Sequence, residues 1–208
     1  MVGRGGVALA AQTLDSVVAS VGHIAITTSD VELEYRFERF LDGLWPPPPP
    51  TPAAFSAARE HLTYQVLLTQ EENPGPAEKA ESEKSAAERL PELRKEYPHP
   101  GDFQRALKEL GMTETEVEAR IAQQELMLRL IDERLRPQAS PSDEDVAAYY
   151  HSTFLPEFQK KNKGGVAPPL SAVEDQVREV LIQKRINELL DQWIEELKPT
   201  TDVRFHTF

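Results

Sequence analysis

The chain has 208 residues with a formal net charge of −12, 28% charged and 7% aromatic residues, and no cysteine. That length supports a real core in one or two domains, and the sparse aromatics favour helices over a dense sheet. The charge argues against nucleic acid, whose phosphates need clustered Lys and Arg, and the missing cysteines exclude disulfides, thiolate-zinc centres and thiol catalysis. No apolar run is long enough for a helix to cross a bilayer, so neither nucleic acid nor stable membrane insertion is expected.

In chain order, the first segment is "MVGRGGVALAAQT". It has a short apolar patch and an A-x-A pattern at Ala8 and Ala10. Residues 1–13 read either as a disordered terminus or as the remnant of a signal peptide whose apolar core lies upstream. Val17, Val18 and Val21, then Ile24 and Ile26, flank a Gly22-His23 turn and predict a β-hairpin. Ser29-Asp30-Val31-Glu32 reads as a capping box that opens an amphipathic helix through Leu44. The run "PPPPPTP" at 46–52 is a stiff polyproline connector.

A helix is expected from Ala53 to Glu72, followed by a polar break at "NPGPAEKAESEK". A charged helix from Ser85 to Tyr97 follows, with Pro91 as its weak point, and then a short helix around Phe103, Leu107 and Leu110 that ends at Gly111. Thr113 to Glu116 forms another capping box. Beyond it Val117, Ile121, Gln124, Leu128, Ile131 and Leu135 make the apolar stripe of a long helix. Ser142 caps the next helix, whose first turn is acidic. Leu170 to Lys198 is the longest helix, with Val173, Val177, Val180, Leu181, Ile186, Leu190, Trp193, Ile194 and Leu197 on its stripe and Pro199 as its stop. Val203, Phe205 and, less cleanly, Thr207 alternate as a terminal strand. The expected fold is mainly α, with a small antiparallel sheet formed by the N-terminal hairpin and the C-terminal strand.

No enzyme signature is present. There is no G-x-S-x-G, P-loop or G-x-G-x-x-G, and no pair among His23, His61, His99, His151 and His206 has metal-ligand spacing. His23 and His206 meet only if the sheet brings them together. No catalytic residue, metal or cofactor is assigned. Phe40, Trp45, Phe55, Phe103, Met112, Met127, Tyr149, Tyr150, Phe154 and Phe158 read singly as ordinary core and, taken together, as more than one core absorbs. Flexible methionines and aromatics suit promiscuous binding. Phe103, Leu110, Met112, Met127, Tyr149, Tyr150, Phe154 and Phe158 are the candidate contacts for a polypeptide client.

Four motifs in this order resemble SurA-type periplasmic chaperones and the related PrsA-like foldases: "LDSVVASVGHIAITTSDVE", "FQRALKELGMTETEVEARIAQQELMLRLIDERL", "SPSDEDVAAYYHSTF" and "PPLSAVEDQVREVLIQKRINELLDQWIEELKPTTDVRF". The resemblance implies one elongated helical chaperone module over 14–208 and a periplasmic location. It also implies an ATP-independent holdase for unfolded outer-membrane or secreted proteins, and favours the signal-remnant reading. Many relatives carry a parvulin domain where this chain has only a short loop, 156–169, without parvulin-like motifs, so isomerase activity is not carried over. The competing expectation is an adaptor whose apolar faces are covered in a homodimer or by one dedicated partner.

Overall fold

A computed structural model of the protein describes residues 15–71 and 73–206. The signal-remnant reading of 1–13 and the Thr207 position of the last strand lie outside these residues. The hairpin forms as expected. Strands β1 (Val17–Val21) and β2 (Ile24–Thr27) pair antiparallel around Gly22, whose φ of 57° is the left-handed conformation that a two-residue turn requires. Strand β3 (Val203–Phe205) pairs with the other edge of β1, Ala19 opposite Phe205 and Val21 opposite Val203, which makes the sheet order β2-β1-β3. The N–H of His206 extends the ladder to the carbonyl of Val18 at 3.0 Å. This places His206 at the far end of β1 from the turn residue His23, so the two histidines do not meet.

Helix α1 (Thr28–Leu41) starts two residues earlier than the Ser29 cap predicts. Thr27 is the N-cap, with Asp30 closing the box: the Thr27 hydroxyl accepts from Asp30 N–H, and the Asp30 carboxylate accepts from Thr27 N–H at 2.9 Å. The Ser29 N–H instead donates to Asp15 at 3.1 Å. Strand β2 ends directly in a helix start, so the residue with extended φ/ψ takes the cap, whatever the side chains that follow. The proline run then links α1 to α2 (Pro52–Glu71). Pro47 and Pro50 are half-buried and their neighbours exposed, the period of three expected of a polyproline helix resting on one edge.

Helix α3 (Pro76–Lys95) takes in most of the expected polar break. Pro76 sits at the first helical position, where its missing N–H costs nothing. Ser82, Ala86, Leu90 and Leu93 then recur at helical spacing and are buried. Pro91 does not end the helix, because Leu90 and Leu93 on either side of it are anchored in the core. Helix α4 (Pro100–Leu110) closes at Gly111, whose φ of 79° lets its N–H reach the Leu107 carbonyl at 3.0 Å. Helices α5 (Glu114–Leu135) and α6 (Asp143–Tyr149) carry capping boxes at Thr113/Glu116 and Ser142/Asp145, with both caps on the predicted residues. A π-helical turn (Tyr150–Phe154) runs into α7 (Leu155–Lys161), so only 162–169 of the expected loop is irregular. Helix α8 (Leu170–Thr200) holds Pro199 in its last turn, where a single backbone bond is forfeited.

Among the described residues, three separate cores hold these elements. The first packs the sheet, α2 and parts of α5 and α8 around Val18, Val21, Ile26, Leu67, Leu135 and Trp193. The second joins α1, α3, α4 and the start of α5 around Phe37, Phe40, Leu93, Phe103, Leu107 and Ile121. The third is small: Val146 and Tyr150 against Val173 and Val177. Helix α5 enters the second core with Val117 and Ile121 and the first with Ile131 and Leu135. Helix α8 serves the third with Val173 and Val177 and the first with Ile186, Trp193 and Ile194. These two helices act as beams between lobes.

Candidate functional site

Three of the eight predicted client contacts lie inside the protein. Phe103 (2% exposed) and Leu110 (4%) are in the second core, and Tyr150 (7%) is in the third. The cause is local: α4 is strongly amphipathic, and Phe103, Ala106, Leu107 and Leu110 share its buried face. The Phe103 ring lies 5.5 Å from Phe40 and 5.4 Å from Tyr97. The Tyr150 hydroxyl donates to the Pro168 carbonyl at 2.6 Å, which pins the loop before α8. Met112, Met127, Tyr149, Phe154 and Phe158 are half-buried at the margins of the cores. The Tyr150, Phe154 and Phe158 rings stack in succession at 5.4 and 6.2 Å, and Lys184 Nζ lies 4.5 Å above the Tyr149 ring.

Another open apolar surface lies where α5 meets α8. Leu128 is 62% exposed and Val180 42%, although both belong to the stripes read as core. Helix α5 changes cores between Ala122 and Ile131, and Leu128 falls in the gap. The groove beside it, ≈ 390 Å³, has Leu128, Ile131, Ile186 and Leu190 as apolar lining and Glu125 and Asp132 among its polar residues. Arg136 ties the two helices together, with Nε on Asp132 at 2.8 Å and both terminal nitrogens on Glu179 at 3.0 Å. That bidentate pairing, with Gln183 adding a further donor, pulls the Glu179 carboxyl down to about 2.

A polar cluster lies between α1, α2 and α5. Glu34 is fully buried. One of its oxygens accepts from Arg120, whose guanidinium also lies 4.5 Å over the Phe37 ring. Its other oxygen faces Gln65 Nε2 at 3.3 Å and His61 Nδ1 at 3.7 Å. Glu38, one turn along α1, accepts from His61 Nδ1 at 2.6 Å. Gln65 Nε2 also lies 3.0 Å from His61 Nε2. The hydrogen bond to Glu38 raises the His61 pKa above its usual value. Glu34 adds to the rise, while burial and Arg120 oppose it. One carboxylate oxygen each from Glu34 and Glu38, together with a ring nitrogen of His61, lie within 4.8 Å of one another and are the atoms here suited to a metal ion. The local signals, Glu34/Glu38 and His61/Gln65 at i,i+4, are present in the sequence, but only the packing of α1 on α2 unites them. No family model, curated protein or solved structure matches the chain.

Proposed function

We propose that the protein is an ATP-independent holdase of the periplasm, a single module over 14–208 that shields unfolded outer-membrane or secreted polypeptides and performs no prolyl isomerisation. The reading rests on the ordered resemblance to SurA-type chaperones. The structural observation that carries it is the division of the apolar residues among three separate cores. A chain built this way keeps more surface than a globule. The accessible area is 13787 Å², against ~9,700 Å² for a compact monomer of 23.4 kDa. Residues outside the described ranges add at most ~2,700 Å² even if fully extended, which leaves an excess of at least ~1,300 Å².

Client contact would be spread thinly. Apolar area withdrawn from water contributes ~25 cal/mol per Å², so isolated side chains such as Leu128, Val180, Leu44 and Ile24 each hold a client weakly. Several such contacts together retain a chain without selecting its sequence, and release follows when the client folds or another surface competes. The net charge of −12 keeps the loaded complex soluble. The test is light scattering when a β-barrel outer-membrane protein is diluted from urea, without nucleotide. Suppression near stoichiometric ratio, weakened by Leu128→Asp combined with Val180→Asp, is the expected result. An undiminished scattering signal would refute the reading.

The uncovered Leu128 groove also favours a second reading, an adaptor that closes this face against its own copy or one partner. Light scattering of the protein alone separates the two: a stable dimer that loses its partner on Leu128→Asp would establish the adaptor.

A further inference from the structure

The cluster between α1 and α2 has a chemistry that client binding does not use. Glu34 and Glu38 stand one turn apart on α1, and His61 faces them from α2 with its Nδ1 2.6 Å from Glu38 Oε1 and 3.7 Å from Glu34 Oε1. From this arrangement we infer that Glu34, Glu38 and His61 form a binding site for one divalent transition-metal ion, Zn²⁺ being the reference case, with water completing its shell.

The donor set is the first argument. An imidazole with two carboxylates suits Zn²⁺, Co²⁺ or Ni²⁺, whereas Ca²⁺ and Mg²⁺ prefer oxygen alone. The second argument is geometric. Bonds of ~2.0–2.1 Å in a tetrahedral shell set neighbouring donors ~3.4 Å apart. The two separations here, 2.6 and 3.7 Å, lie on either side of that spacing, and all three donors fall within 4.8 Å. Small side-chain rotations suffice, since His61 is half exposed and Glu38 partly so. The same exposure gives an ion its entry path. Glu34, fully buried, is the fixed member.

The outer partners complete the argument. Arg120 occupies Glu34 Oε2 and leaves Oε1 for an ion. Gln65 Nε2 serves both Glu34 Oε1 and His61 Nε2, and so keeps the proton of the neutral ring on Nδ1, where it is donated to Glu38. A metal on Nδ1 shifts that proton to Nε2. The Gln65 amide then turns, its carbonyl accepts from Nε2–H, and the bond it gave up to Glu34 Oε1 is replaced by the metal bond. Both ring nitrogens of His61 keep a partner in either state. From the imidazolium form, binding instead releases one proton to solvent, so affinity rises with pH until the ring is neutral. The bound ion would clamp α1 to α2, next to the hairpin that begins the fold.

The experiment is calorimetric titration of the chelator-stripped full chain with Zn²⁺, paired with the visible absorption of Co²⁺. One equivalent should bind, with the d–d bands of a low-coordinate site. His61→Ala and Glu38→Gln should each weaken binding at least ~10-fold, while His151→Ala leaves it unchanged. Both test positions are partly exposed, and circular dichroism confirms that the variants keep the fold. Absence of a one-equivalent transition in a micromolar titration overturns the inference. So does unchanged affinity in His61→Ala, or equal binding of Mg²⁺, which would mark only counterions on an acidic surface. Aggregation suppression is read separately, so the two proposals stand or fall independently.

Discussion

Removing Arg120 leaves the fully buried Glu34 carboxylate without its cation. Glu34 is 0% exposed and the Arg120 side chain 20%, so the pair is largely desolvated. Gln65 at 3.3 Å is a weak neutral donor, and His61 at 3.7 Å already serves Glu38. Breaking a buried pair from one side costs ~3–5 kcal/mol, because the surviving charge is left out of water with only weak partners. Arg120→Ala also removes the guanidinium from the Phe37 ring, which places the expected loss in the upper part of that range. With a urea m-value of ~1–3 kcal/mol/M, the midpoint falls by at least ~1 M. Unfolding can be followed through Trp193 in the first core and Trp45 beside the second. The double replacement Glu34→Leu with Arg120→Met puts apolar volume where the pair was and should recover most of the loss. If Arg120→Ala costs less than ~1 kcal/mol, water reaches the Glu34 carboxylate, and the account of a buried ion pair fails.

Thr27→Ala should cost ~1 kcal/mol while Ser29→Ala stays near zero, since only Thr27 caps α1; equal costs in thermal unfolding would return the cap to Ser29. Phe40 is 0% exposed and touches Tyr97, Phe103 and Trp45, so Phe40→Ala should lose ~3–5 kcal/mol in chemical denaturation, and a loss below ~1 kcal/mol would mean the second core collapses around the cavity. The raised pKa of His61 stabilises its protonated form. Its contribution is full below the ordinary value of 6.5 and disappears as pH rises through the higher folded value. In NMR titration His61 should therefore titrate above 6.5, and Glu38→Gln should bring it down. Glu179 runs the other way: held near 2 by Arg136, its contribution is present above 4.5 and is lost as pH falls through about 2. A carbon-detected titration of Arg136→Ala should return Glu179 towards 4.5.

What the sequence determined by itself is what depends on neighbours along the chain. The Gly22 turn, the caps at Thr113 and Ser142 and the Gly111 stop each arise from one residue's φ/ψ preference or one side chain bonding its own backbone. The closure of the two chain ends into one sheet was also legible, because two isolated β-segments in a helical chain have only each other to pair with. Where local signals competed, tertiary contacts decided. Thr27 outranked Ser29 because the preceding strand set its backbone, and Pro91 stayed helical because Leu90 and Leu93 are held by a core. Periodicity names the apolar face of α5 and α8 but not which neighbour covers each turn. Leu128 and Val180 share a stripe with buried residues and are exposed, while Phe103, Leu110 and Tyr150 are enclosed. The node of Glu34, Glu38, His61 and Arg120 belongs wholly to this second class. Its members come from three helices, and a buried charge exists only after packing has removed the water around it.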